Sequence, residues 1–308
     1  MRPLLPKHNR YDYLPLTERK DYSWPAQKRL AFVITTNSEC FAFGAGLGHD
    51  PAKTGEPQTH RNYSWRDYGN RIGIWRFFDL FDELKLQVAH NVNSLVYDYA
   101  PQVMDAVRRR GDEIVAHGRT NAENLRGMWE ADEERVIGEV VNAFVKHEGK
   151  APMGWMGPGA YETAHTPDLL KEAGFTYLMD WPLDDQPVWL RTRSGPLLSV
   201  PYPIELNDSQ VITHRKQDGR EFCEMIVDQF DEMIEQCVAH PLVMNVSVHP
   251  NIFGQPFRLR NLRLALRHCL EHPLRDRVWL ARPGEVASHC LSLPPGTIPG
   301  SEVGTSTA

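Results

Sequence analysis

Gly154–Trp181 reads GWMGPGAYETAHTPDLLKEAGFTYLMDW, and the fold turns on how this stretch divides. Met153–Met156 is a short apolar run bounded by the turn Gly157-Pro158-Gly159, which predicts a buried strand. Thr166 has the side chain of a helix cap, Pro167 fits a first helical turn, and Gly174 supplies the stop. A helix over Thr166–Ala173 follows. Phe175–Leu178 is a second apolar run and a second strand. Two strands joined by a helix form the crossover unit that connects parallel strands.

The same alternation extends both ways. Strands are predicted at Leu30–Thr35, Gln87–Val92, Glu113–Ala116, Leu197–Val200, Leu242–Val248 and Arg277–Leu280. Asn70–Leu86 carries Ile74, Trp75, Phe78, Leu80, Phe81 and Leu84 at helical spacing. Pro101–Arg110 is a helix with a basic end, which suits the helix dipole. Further helices are expected at Glu133–His147, Glu221–Cys237 and Phe257–Cys269. Apolar strands alternating with helices imply a parallel sheet covered on both faces. With seven or eight such units and no break, an α/β barrel is preferred over an open sheet. The 308 residues suffice for one such domain, placed at 28–291. Residues 1–27 read as an irregular arm and 292–308 as a flexible tail. The loop Gly44–Tyr68 reads as lid or subunit-contact material.

Composition narrows the class. A net charge of −6 argues against a nucleic-acid or anionic-membrane surface. MRPLLPKHNRYDYLP has no long apolar run of a signal peptide, and no segment reaches a membrane span. Cys40, Cys223, Cys237, Cys269 and Cys290 are scattered, without zinc spacing, which suits reduced thiols in the cytoplasm.

In such a barrel, chemistry collects on loops after the carboxyl ends of strands. Those exits carry Asn37 and Glu39, then His90 and Asn91, then His117 to Asn121, then Pro158 and Gly159. Later exits carry Asp180, Asp184, Asp185, Tyr202, Glu205, Asn207, Asp208 and His249. Blander readings stand beside these. His90 suits a core histidine, and Asp184-Asp185 an exposed turn. Glu205, Asn207 and Asp208 suit pocket or turn equally, and Arg71 suits a helix that reaches the pocket or a subunit contact. Arg258, Arg260, Arg263 and Arg267 suit a salt-bridged surface.

GDEIVAHG, the stretch Gly154–Trp181, VSVHP and RDYGNRIGIWRFFDLFDEL together resemble the polysaccharide-deacetylase (NodB-type) superfamily. The flavour is that of its cytosolic allantoinase and cyclic imide hydrolase branch, over roughly residues 28–290. The resemblance implies a distorted (β/α)7 barrel related to the TIM barrel. It also implies a metal site, from which this chain departs. The two carboxylates after the first strand are replaced by Thr35-Thr36-Asn37, with Glu39 beyond. Of the His-x-x-x-His pair only His117 remains, with Asn121 at the second place. Met156-Gly157-Pro158-Gly159 lacks the arginine that orients the base. The late histidine, a proton donor in the superfamily, matches His249.

Asparagine is a poor zinc ligand, so a divalent metal is expected only if Glu39 replaces the missing ligands. Otherwise Glu39 is the candidate base, His249 the acid, and His117 the group that binds or polarises substrate. Asn37, Asn91, Asn121, Pro158, Gly159, Tyr202, Glu205 and Asn207 are expected to bind it, with backbone N–H groups of the Gly157 turn receiving an oxyanion. The leading expectation is a hydrolase of a non-peptide carbon–nitrogen bond in a small cyclic amide, imide or ureide. A metal-dependent deacetylase of an N-acetylated sugar or peptidoglycan fragment is the alternative. An inactive small-molecule binder is the third. A homo-oligomer, dimer or tetramer, is expected.

Overall fold

The computed structural model describes residues 7–44 and 59–301. Residues 45–58, most of the predicted lid, and 302–308, the end of the predicted tail, lie outside the described residues.

The strands are β1 (Leu30–Ser38), β2 (Ala89–Val92), β3 (Glu113–Ala116), β4 (Gly154–Trp155), β5 (Tyr177–Leu178), β6 (Val188–Thr192), β7 (Gly195–Ser199), β8 (Leu242–Val248) and β9 (Val278–Ala281). Their order is β6-β7-β5-β4-β3-β2-β1-β8, with β9 also on β1. Every pairing is parallel except the β6–β7 hairpin. All nine residues of β1 are buried, as a central parallel strand requires. β8 covers one edge of β1 from Leu30 to Thr36. β9 and β2 share the other edge, at Leu30–Val33 and Thr35–Ser38. Between β7 and β8 the ring is bridged only where Asn207 pairs with Ser247. The result is the distorted seven-stranded barrel, as a single domain, with β6 and β9 as additions.

The helices are α1 (His60–Tyr68), α2 (Ile74–Glu83), α3 (Val96–Tyr99), α4 (Pro101–Arg110), α5 (Glu130–Glu148), α6 (Thr166–Glu172), α7 (Gly219–Gln236), α8 (Pro250–Phe253), α9 (Pro256–Glu271) and α10 (Pro283–Ser292). α2, α7 and α9 bury Phe77, Phe81, Phe230 and Leu262 against Phe32 and Ile34 of β1. Among the described residues no helix is long and apolar enough to cross a membrane.

Three expectations are changed or sharpened. The helix expected at Asn70 begins at His60 and contains a π-helical turn, Gly69–Gly73. The arm is irregular but packed: Trp24 is buried and donates its indole N–H to Leu242 O at 3.0 Å. The described part of the tail is also packed, with Ile298 buried and Trp189 N donating to Pro299 O at 2.8 Å.

Candidate active site

Strand alternation aims the site. Side chains two apart on a strand share a face, so Asn37 and Glu39 leave β1 together, and Ser247 and His249 leave β8 together. Register sets Asn37 beside Asn91 of β2. Asn91 Nδ2 donates to Asn37 Oδ1 at 2.9 Å, and Asn37 Nδ2 donates to Ser247 Oγ at 3.1 Å. Tyr202 Oη shares a 2.6 Å hydrogen bond with Ser247 Oγ. Asn37, Asn91 and Tyr202 are thus a buried polar column inside the barrel, bonded through one another and Ser247, with Asn91 Oδ1 left buried and unpaired.

Glu39, His117 and His249 cap this column. Asn121 Nδ2 donates to Glu39 Oε1 at 2.6 Å. The same oxygen lies 3.5 Å from His117 Nε2 and 3.6 Å from His249 Nε2. The loop that carries Glu39 is fixed at its backbone. Asn70 Nδ2 donates to Glu39 O at 2.7 Å, and Cys40 N donates to Asn93 Oδ1 at 2.8 Å. The π turn has a purpose here, because it turns Asn70 onto Glu39. Gly73 in that turn is equally constrained: a Cβ there would lie 2.0 Å from Pro250 O, next to His249. Arg76, one helical turn on, donates to Gly254 O at 3.0 Å. The segment YGNRIGIWR therefore holds both the Glu39 and the His249 loops.

Charge at the site is separated. His249 Nδ1 donates to Asp208 Oδ1 at 2.6 Å. Burial opposes a charge on His249, but Asp208 and Glu39 on either side outweigh it and push its pKa up to about 10. Burial likewise opposes ionisation of Glu39. The charge of His249 and the two imidazoles' hydrogen-bonding reach outweigh it, and its pKa falls well below the usual carboxylate range. The resting pair is a carboxylate beside an imidazolium. His117 Nδ1 bonds Met156 O, which only accepts, so Nδ1 carries the hydrogen. His117 Nε2 is buried without a hydrogen-bond partner and faces Glu39 across 3.5 Å, a distance of electrostatic contact.

These donors do not fit the superfamily's metal. Asn37 uses both ends of its amide within the column. Asn121 presents its NH2 to Glu39, and its oxygen accepts from Asn93 Nδ2 at 3.0 Å. Among the described residues, the His and carboxylate donors that all fall within 4.8 Å of one another belong to Asp231, His268 and His272 instead. That cluster lies on α7 and at the end of α9, outside the barrel mouth. There, Leu274 N donates to His272 Nδ1 at 3.1 Å, so the neutral ring carries its hydrogen on Nε2 and points it at Asp231. It is a hydrogen-bonded surface group.

The remaining expected residues divide. Pro158 is buried beneath Gly118, and Gly159 turns with φ +68°. Gly157 N is spent on Asp180 Oδ1 at 2.7 Å and proline has no N–H, so of that turn only Gly159 N is left for an oxyanion. Glu205 is exposed and pairs with Arg215 at 3.2 Å, away from the site. Asn207 accepts from Ser209 N at 3.1 Å and shapes the turn before the 209–214 helix. Asp184 binds Arg19 through both oxygens, at 2.7 and 2.6 Å. Arg71 is exposed, and His90 is a core histidine paired with Asp112 at 3.1 Å. Above Glu39 a cavity of about 410 Å³ opens between α1 and α3, lined by Phe41, Tyr63, Arg66, Asn70 and Tyr99 among others. That volume suits a small molecule.

No family model matches the chain. A Schizosaccharomyces pombe protein carrying the name polysaccharide deacetylase is 26% identical over 297 residues, spanning 86% of this chain and 91% of that protein. The crystal structure of PuuE allantoinase superposes with a TM-score of 0.81 at 25% identity, over 88% of this chain and 93% of that one. A structure from Pseudomonas aeruginosa PAO1, also named as a polysaccharide deacetylase, gives 0.74 at 26% identity over 86% and 92%. Over most of its length the chain is similar to these proteins of the polysaccharide-deacetylase and allantoinase kind. The proteins it resembles are named as hydrolases.

Two residues at the site carry more than a sequence reading gives them. Asp208 is the partner of His249, but it lies 41 residues upstream on a turn that equally suits a bland role. Arg66 enters the cavity from a helix whose start was placed ten residues too late.

Proposed function

We propose that this chain opens a small cyclic amide, imide or ureide by acid–base hydrolysis of a ring carbon–nitrogen bond. The observation that carries this is the separated pair, a Glu39 carboxylate that lines the cavity with a His249 imidazolium beside it. Base and acid are in the protonation states that hydrolysis needs before substrate arrives. The likeness to an allantoinase over most of the chain supports a ring substrate.

In this reading a water docks on Glu39 from the cavity side, beside His117 Nε2. It attacks the ring carbonyl carbon while Glu39 takes its proton. The tetrahedral intermediate collapses, the carbon–nitrogen bond breaks, and His249 Nε2 gives its proton to the departing nitrogen. The products are a carboxylic acid and an amine or amide on one opened molecule. Loss of the proton from His249 removes the positive charge that holds Glu39 down, so Glu39 keeps the water's proton until collapse is complete, and passing that proton to His249 restores the resting pair. Asp208 orients His249, as the third group of such a relay does.

A panel of hydantoin, succinimide, dihydrouracil, allantoin and N-acetylglucosamine oligomers tests the reading. Turnover of at least one ring is expected, with Glu39→Gln slower by about 10²-fold or more. Deacetylation without ring opening would transfer the same machinery to an acyl sugar. Binding without turnover of any compound would overturn the reading.

A further inference from the structure

The cavity holds a charge that the hydrolytic step does not use. Arg66 lies on α1 with its guanidinium 4.0 Å over the Phe41 ring. Its Nε donates to Asn62 Oδ1 at 3.1 Å. Neither terminal nitrogen has a hydrogen-bond or carboxylate partner among the described residues, and both belong to a side chain lining the Glu39 cavity. A guanidinium removed from bulk water without a paired carboxylate is costly, so its free donors call for acceptors. Asp67, the next residue, lines the same cavity. One of its oxygens accepts from Tyr99 Oη, which leaves the other as an acceptor.

We propose that Arg66 and Asp67 form a recognition subsite for a –C(=O)–NH– edge of the substrate, with Arg66 donating to the carbonyl oxygen and Asp67 accepting from the N–H. This deepens the ring-hydrolase reading and rests on it. The pairing specifies the substrate class: a neutral ring with a second carbonyl and an unsubstituted N–H beside it, away from the bond cut at Glu39. A carboxylate-bearing substrate would meet Asp67 and Glu39 as like charges in the cavity beside Arg66. An N-alkylated ring would bring a methyl group against a carboxylate that has no donor left. The wall between the two reading groups and the floor is apolar and aromatic, which suits the flat face of such a ring.

The test uses the full chain with hydantoin, dihydrouracil and their N1-methyl derivatives, which alter the nitrogen away from the bond cut, read by steady-state kinetics and by calorimetric binding to Glu39→Gln. The unmodified chain should prefer each N–H ring over its N-methyl form by about tenfold or more. Arg66→Met should weaken every ring by about tenfold or more, in KM and in calorimetric Kd more than in kcat. Asp67→Asn should collapse the preference for the N–H ring while the N-methyl compounds keep their affinity. Unchanged melting temperatures separate these effects from misfolding. Arg66→Met that leaves KM and Kd alone, or that lowers kcat without touching Kd, would overturn the subsite. Failure of all rings to open sinks the hydrolase reading instead, and the calorimetry still decides whether Arg66 and Asp67 read the ring.

Discussion

At the scale of single residues the protein's chemistry rests on one proton. His249 lies between Asp208 and Glu39, and both carboxylates favour its charged form. Its pKa in the fold, about 10, stands above the ordinary value of 6.5. The stability it contributes is fully present below 6.5 and is lost as pH rises through about 10. The alkaline limb of kcat/KM should follow the same proton. Activity should hold across neutral pH and fall near pH 10, and Asp208→Asn should move that fall to lower pH by removing one of the carboxylates. A pH–rate profile of the two proteins checks this, and coincident alkaline limbs would remove Asp208 from the relay. Glu39, His117 and His249 were legible as neighbours because each stands where a strand ends and the chain turns polar. The mutual pairing of Asn37, Asn91 and Tyr202 was not legible, for a related reason. They stand at strand ends too, but one step down the alternating inner face, where neighbouring strands meet their amides and hydroxyl.

At the scale of elements, the π turn and the Gly157 turn fix how sharply the site is held. Strand and helix positions were legible because apolar runs and caps are local. The π turn was not, since its cause is a contact with α8, far along the chain. A Cβ on Gly73 would lie 2.0 Å from Pro250 O, and backbone cannot yield as a side chain does. Gly73→Ala should therefore cost about 1–3 kcal/mol, as overpacking does. It should also slow turnover by displacing His249, measured by urea unfolding and kcat together. A second element-level prediction concerns Asp180, whose carboxyl supports Gly157. Burial raises its pKa to about 6 against the Gly157 N–H, and burial with the neighbouring Asp180 charge holds Glu162 well above the usual range. Raised carboxyl pKa values mean the folded state keeps protons that the unfolded chain releases, so stability falls as pH rises above the ordinary carboxylate range. Glu162→Gln keeps an acceptor for Trp181 Nε1 and removes one of those protons. Its stability gain over the unmodified chain should be larger at pH 8 than at pH 5. Equal gains at both would show that the two carboxyls do not share the proton.

At the scale of the whole molecule, the arm that reads as irregular in sequence is a strap around the barrel. Its hold comes from pairings that no local pattern announces. Arg19 meets Asp184 from 165 residues away, and Arg10 meets Asp168 from 158. Both pairs are bidentate and largely buried, with side-chain exposures of 9% and 13% for Arg19 and Asp184. A pair of this kind behaves differently when one member is removed than when both are. Arg19→Ala leaves the Asp184 carboxyl without its partner beside Asp185, whose own pKa burial and Asp184 already raise. The expected cost is about 3 kcal/mol, the cost of an uncompensated buried charge. Replacing Asp184 by Asn in that background removes the stranded charge, so the double variant should recover a large part of the loss. A double-mutant cycle by urea unfolding measures the coupling. Coupling above about 1 kcal/mol would make the arm an integral layer of the barrel, and additive losses would reduce Arg19 to an apolar prop for the arm.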